Sequence, residues 1–475
     1  MEFTDPVLGH SAPTTLWTTA NVDEAAPDVL SPLCWSVWGY GFERGRLRSQ
    51  YELGLLTDEE NHPSEEPDRR TGFVFYGRQA ANVDELRRIL GRLPGVTPDD
   101  IERDWFGIHR DAAPPVTAMP EREPYIAECF AREQARQHRR LRDLHSAQQT
   151  WWREQVVDAG RTGRHHGTPL DRLRAARERF TEAFYVHCFT RYFLPGPTVA
   201  VMTAAAGAGV APLTGSLLSG YGELEEIAMA DALWQVGHGE LELDAFVRTY
   251  GFHGPNEGNV YTRSWRDDPD RVADLGAQYA RRTDLHRPRD RADALVAGRR
   301  SAEDALLEAS PAPRREELEQ VEGGTVADPS GLVGYRRGER ARYARLRLPR
   351  VFTGMPEPIE QGTDPGTGAG PLTGTASGGP RVRGRARVVV DPTDEVDVEP
   401  DDVLVCRMTD PGWTALMALA AAVVTDIGNA SSHGAVVARE LGIAYVVGTG
   451  NGTEVVPDGA TVVVDGTTGT VEVLP

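Results

Sequence analysis

The hydrophobic pattern changes character along the chain. Toward the C-terminus, short Val-rich apolar runs recur at 385–390, 403–406, 421–424, 445–447 and 461–464, each bounded by polar or Gly-bearing turns. Runs of that length predict buried strands, and the segments between them read as helices or turns. Residues 381–475 therefore predict a compact α/β domain. Upstream, the period is three to four from Asp84 almost to residue 348, with long helices predicted over 121–157, 170–193 and 221–235. Residues 72–77 predict a strand or a buried connection, 52–70 a polar surface loop and 1–16 a loose tail. Residues 353–380 are dominated by Gly, Thr, Pro and Ser and keep no apolar period, which predicts a flexible linker. The fold class read from this pattern is multidomain: a mainly α-helical domain over 17–352, the linker, then the small α/β domain.

One strand-turn-helix within the α/β part carries candidate chemistry. After the apolar run at 421–424 come the turn pair Gly428-Asn429, the capping serines Ser431 and Ser432, and a helical period opening at His433. Gly442 stands where a helix C-terminus favours it. His433 thus falls in a first helical turn, where unpaired N–H groups and the helix dipole hold phosphate oxygens well. The same positive potential disfavours imidazolium, so a neutral, nucleophilic ring is expected.

A second chemical stretch runs from Tyr250 to Pro269. Its Gly, Pro and Asn predict a loop, and it gathers His253, Asn256, Glu257, Arg263, Trp265 and Arg266. Glu257 or His253 has the chemistry to deprotonate a hydroxyl. Arg263 and Arg266 have the geometry to grip phosphate. A charged interhelical loop with internal ion pairs is the competing reading. The His165-His166 pair lies in a basic break at 160–169 without nearby ligands and reads as a solvated loop, so no metal site is expected.

Composition narrows the function. The net charge is −20 in 475 residues, which speaks against nucleic acid as a partner. Cys34, Cys129, Cys188 and Cys406 have no paired spacing and read as reduced, packed thiols. The N-terminus has neither a basic region nor an apolar run of signal-peptide type, and the uncharged 199–218 stretch is too rich in Gly, Pro and Thr for a membrane span, so a cytoplasmic protein is expected. The chain contains no lysine. A P-loop and Schiff-base or pyridoxal phosphate chemistry are thereby excluded.

The residues Thr409-Asp410-Pro411-Gly412-Trp413-Thr414, the 425–443 stretch and Asp465-Gly466-Thr467-Thr468-Gly469 resemble the swivelling phosphohistidine domain of PEP-utilising enzymes, the family of phosphoenolpyruvate synthase and rifampin phosphotransferase. Asn429 replaces the usual second Gly, and Ala444 the usual Pro. Gly254-Pro255, Glu257 and Trp265-Arg266-Asp267-Asp268-Pro269 resemble a loop of the rifampin phosphotransferase middle domain, departing from it at Phe252-His253. The stretches at 16–22 and 31–38 resemble the entrance to the family's substrate-binding domain, where Trp17, Trp35, Trp38 and Tyr40 are candidates to wall an apolar pocket or simply to fill the core.

The resemblance implies a phosphotransferase component. His433 would accept a phosphoryl group and swing on the 353–380 linker to a hydroxyl of a small organic substrate in the helical domain. It implies catalytic roles for His433, Glu257 and His253, and phosphate or substrate contacts for Arg263, Arg266, Asn256, Ser432 and Trp265. No stretch reads as the family's nucleotide domain, so ATP and Mg2+ are expected on a separate ATP-grasp-type partner, with no cofactor on this chain. A non-catalytic regulatory protein that bears phosphohistidine or binds a ligand is the alternative. Substrate, donor and oligomeric state are not legible, nor is the choice between a stable phosphate ester and an eliminating intermediate.

Overall fold

The computed structural model describes residues 6–474, apart from 310–345, 348–350, 361–371, 159–166, 258–261, 429–431 and shorter gaps at 20–21, 23–24, 27–28, 94–95, 107, 111–112, 117–118, 194, 221, 223, 284–285, 358, 391–393 and 395. The 161–166 loop, the Asn429 half of the turn pair, Ser431, the break at 328–331 and the centre of the linker lie outside the described residues. The chain forms two compact units: Met1–Pro195 with Glu322–Asp364, and Gly196–Gly258 with Thr262–Val321 and Pro365–Pro475.

The first unit pairs long helices with a small sheet. Helix α1 (Pro32–Glu52) opens on Ser31, whose side chain accepts from the Cys34 amide, with Pro32 at the first helical position. The long helices α3 (Glu123–Trp152) and α4 (Pro169–Phe193) lie where the period predicts them. Helix α1 approaches α4 closely at Gly45, where a Cβ would stand 2.8 Å from the Tyr185 amide nitrogen. Strands β1 (Leu16–Thr18), β2 (Gly72–Phe75), β3 (Arg78–Asn82) and β4 (Val351–Thr353) form an antiparallel sheet in the order β2-β3-β1-β4, with Trp17 opposite both Asn82 and Phe352. Helix α2 (Val83–Leu90) follows, capped by Asn82. Trp17 is wholly buried beside Phe75 and belongs to the core. Trp35, Trp38 and Tyr40 are half-buried, and Trp38 donates to Gln79 Oε1 at 2.6 Å.

The second unit joins helices to an eight-stranded sheet. Four of the helices are α5 (Glu225–Gly237), α6 (Leu243–Tyr250), α7 (Pro269–Arg281) and α8 (Pro288–Ala309). The strands are β5 (Leu372–Thr373), β6 (Thr375–Ala376), β7 (Arg381–Val389), β8 (Asp402–Cys406), β9 (Ala422–Thr425), β10 (Ala444–Val447), β11 (Thr461–Asp465) and β12 (Thr470–Val473), in the order β5-β12-β11-β7-β8-β9-β10-β6. Strands β7, β8, β9 and β10 run parallel, and the outer pairings are antiparallel. Helix α9 (His433–Leu441) forms the crossover from β9 to β10.

The central strands are apolar at almost every position because both faces are covered. Val403, Val405, Val424 and Val446 pack on one face with Val462 and Val464. Leu404, Cys406, Val423 and Tyr445 face the other way, into one core with Met229 and Leu233 of α5, Leu275 and Tyr279 of α7 and Leu441 of α9. Tyr279 donates to the Ala415 carbonyl at 2.8 Å, and Arg282 to that of Leu419 at 2.7 Å. The sequence reading divides the chain at 353–380; in the structure the helices of 225–309 share a compact unit with the sheet. All four cysteines are buried thiols outside any disulfide. Among the described residues, no helix is long and apolar enough to cross a membrane.

Candidate active site

In an open parallel sheet, side chains that meet a ligand gather beyond the carboxyl ends of the strands. Two of the loops that leave such ends carry candidate residues. The one after β8 carries Asp410, and the one after β9 leads to Ser432 and His433. Ser432 has extended backbone and accepts from the Ala435 amide at 3.4 Å, which sets His433 as the first helical residue. At the far end Gly442 adopts φ +64°, closing the helix in the left-handed conformation. Asp426 does a structural job: it accepts from the Thr453 hydroxyl and amide and from the Thr449 hydroxyl, pinning the loop after β10.

The His433 ring donates from Nε2 to Glu226 Oε1 at 2.9 Å. Its Nδ1 is buried with no hydrogen-bond partner, although the side chain as a whole is 31% exposed. Burial works to lower the His433 pKa, but the Glu226 hydrogen bond and the charges of Glu226, Glu257 and Asp410 outweigh it and raise it above the ordinary value. The direction is opposite to the one expected from the helix N-terminus alone. A helix N-terminus contributes only a partial charge, whereas three acidic side chains act here. Burial pushes Glu226 up, yet the hydrogen bond and charge of His433 bring it below its ordinary range.

The 250–269 loop supplies a second pair. His253, 5% exposed, donates from Nδ1 to Glu257 Oε1 at 2.5 Å. The carboxylate on Nδ1 leaves the lone pair of the neutral ring on Nε2, which is buried and unpartnered. Two backbone bonds hold the loop in place: Trp265 N–H donates to the His253 carbonyl and Arg266 N–H to that of Gly251, both at 2.7 Å. Trp265, 2% exposed, packs against Phe246 and His253 and so supports the loop from within the core. Asn256 takes φ +57°, a conformation Asn tolerates.

Asp410 connects the two loops. Its Oδ2 accepts from the Glu257 amide at 3.3 Å, while Oδ1 is buried without a partner. Burial, reinforced by the Glu257 charge, pushes its carboxyl up to about 7. The loops meet at Gly412, where a Cβ would lie 2.2 Å from the Gly254 carbonyl oxygen. Arg263 is 67% exposed and pairs with Asp268 at 3.2 Å, also donating to the Asp267 carbonyl. Arg266 is half-buried.

The structure thus brings His433, Ser432, Glu257, His253 and Asn256 into one electrostatic neighbourhood, with Trp265 behind it and Arg263 turned to solvent. Glu226 and Asp410 join as members that the reading of site residues omitted. Asp410 stood in a quoted motif without a role. Glu226 carried no signal, because acidic residues in a first helical turn are ordinary.

Residues 398–469 match the family described as PEP-utilising enzyme, mobile domain, and residues 225–322 match the rifampicin phosphotransferase fourth domain. An uncharacterised protein of Mycobacterium tuberculosis is 45% identical over 148 residues, which are 31% of this chain and 17% of that protein. A rifampicin phosphotransferase of a Streptomyces species is 41% identical over 146 residues, 30% and 16% of the two chains. The prodigiosin synthesizing transferase of Serratia marcescens is 40% identical over 140 residues, 28% and 16%. The chain spans about a sixth of the length of these relatives. A solution structure of Enzyme I aligns at 19% identity over 53% of this chain and 78% of that one, with a TM-score of 0.16. The two matched segments contain every residue of the site, from Glu226 through the 250–269 loop to Asp410 and His433, and over them the chain is similar to the PEP-utilising enzyme mobile domain and the rifampicin phosphotransferase fourth domain.

Proposed function

We propose that this chain is the acceptor-side part of a phosphoryl relay. His433 takes a phosphoryl group from a separate ATP-using protein and passes it to a hydroxyl of a small organic substrate. The observation that carries this reading is a helix-start histidine and a second, buried histidine whose Nε2 has no partner, linked through Glu257 and Asp410. In the transfer, the N–P bond of phosphohistidine breaks and its electron pair returns to the ring. The substrate oxygen forms the new O–P bond, and its proton goes to His253 Nε2. Glu257 on Nδ1 orients that ring and stabilises the cation that forms. Ser432 and the first-turn amides of α9 would hold phosphate oxygens, and the 381–475 domain would carry the group between donor and acceptor. ATP and Mg2+ belong to the partner, and Arg263 and Arg266 are the candidate substrate grips. The names of the relatives support a phosphotransferase and make rifampicin the first substrate to try.

The test is a mixture of this chain, a standalone ATP-grasp protein from the same source and ATP labelled at the β- and γ-phosphates. Acid-labile label on the wild-type chain, absent from His433→Ala, is the expected result. Label that persists in His433→Ala refutes the reading.

A further inference from the structure

The contact between His433 and Glu226 constrains how a phosphoryl group can arrive. Of the two ring nitrogens, Nδ1 is buried against protein. Nε2 is the nitrogen left to react, and Glu226 Oε1 stands 2.9 Å from it. Glu226 is held firmly in turn: it lies in the first turn of α5, whose Met229, Ala230 and Leu233 are buried in the core that also takes Val437, Ala438 and Leu441 of α9. The contact has a second anchor one helix-length away. Glu440 of α9, 3% exposed, accepts from the Gly220 amide at 2.9 Å, and Arg299 donates to the Gly220 carbonyl at 2.9 Å. The carrier helix is therefore seated at both ends.

We propose that Glu226 is a positioning residue that latches the unphosphorylated carrier: it holds His433 through Nε2, and loading of His433 requires that hydrogen bond to open. The inference rests on the relay reading for its biological sense, but not for its chemistry. A phosphoryl group on Nε2 would bring about two negative charges to a place that Glu226, Glu257 and Asp410 already make negative. The seat favours the protonated, unloaded ring and repels the loaded one, so loading and latching exclude each other.

Phosphoramidate tests this without the partner. Its N–P bond breaks, ammonia leaves, and the ring lone pair forms the new N–P bond, so the ring must first be free of Glu226 and of its Nε2 proton. A hydrogen bond to a charged group, discounted for the partial exposure of both side chains, leads to an expected rate gain of roughly tenfold in Glu226→Ala, with Glu226→Gln between it and wild type. The His433 ring should also titrate lower in Glu226→Ala by NMR of its Cε1–H, with His253, Glu257 and Asp410 unchanged as neighbours. Wild-type loading rates in both variants, with His433→Ala as the blank, overturn the proposal, and so does slower loading. Should the variants fail to fold, amide exchange on the wild-type chain decides. The latch predicts faster exchange in the first turns of α5 and α9 after loading, and unchanged exchange refutes it. A chain that loads as predicted yet passes phosphate to no hydroxyl, partner present, sinks the relay and leaves the latch standing.

Discussion

Gly434→Ala is a sharp test of how helix α9 is fitted to its domain. Gly434 follows His433 and is buried. A Cβ there would stand 2.1 Å from Thr409 Oγ1 and 2.6 Å from Tyr445 Oη, with Tyr445 Cζ next at 3.2 Å. Neither obstacle is free to turn away. Thr409 is 5% and Tyr445 1% exposed, and the Tyr445 hydroxyl lies between those of Thr409 and Thr425 at 3.5 and 3.3 Å. Overpacking of this kind costs about 1–3 kcal/mol, while Ala gains about 1 kcal/mol over Gly in a helix, so a net loss of about 0–2 kcal/mol is expected. In a Thr409→Ala/Tyr445→Phe background both nearest atoms are gone. There the same change should be neutral or stabilising by up to about 1 kcal/mol, a coupling of about 1–3 kcal/mol. Amide exchange within α9 reports its opening free energy in all four proteins. Effects that add within about 0.5 kcal/mol would refute the steric account.

Two further outcomes follow from the site. Asp410, raised to about 7 when folded against an ordinary value of 3.8, binds more protons in the native state, so its contribution is full below about pH 4 and is lost as pH rises toward 7. His433, raised above 6.5, runs the same way, its contribution fading as pH rises through its folded value. Thermal melts of wild type should therefore fall from pH 5 to 8, and Asp410→Asn should flatten that slope; an unchanged slope contradicts the assignment. Trp265→Ala, which removes a 2%-exposed side chain from beneath the His253 loop, should cost about 3–5 kcal/mol by urea unfolding, and a cost under 1 kcal/mol would mean the loop does not rest on it.

Strands β8, β9 and β10 were legible because each is a short apolar run buried on both faces, and its covering does not alter that signature. The His433 helix was legible because its Ser432 cap and Gly442 stop are local. What escaped were partners made by long-range closure. The sheet of the first unit assembles from 16–18, 72–82 and 351–353; of these 72–77 read as a strand or a buried connection, while the three-residue strands at 16–18 and 351–353 are too short to declare themselves. Helix α1 was hidden by its own glycines, which serve its packing on α4 rather than a turn. Glu226 lies 207 positions from His433, and nothing in Leu224-Glu225-Glu226 separates a latch from an ordinary helix-start acid. The direction of the His433 shift was inferred from one dipole, when the acidic groups that set it come from elsewhere in the chain.

The core shared by α5, α7 and the sheet also bears on how the chain is made. A ribosome delivers Met229, Leu233, Leu275 and Tyr279 long before Leu404, Cys406, Val423 and Leu441 exist to cover them. At about 5–20 residues per second, residues 310–401 alone take roughly 5–20 s to synthesise. Throughout that interval the nascent helices present an apolar face with nothing native to bury it. The last hundred residues are then the folding template of the helices as well as the seat of His433, and chaperone demand during synthesis should rise with any delay between the two halves of that core.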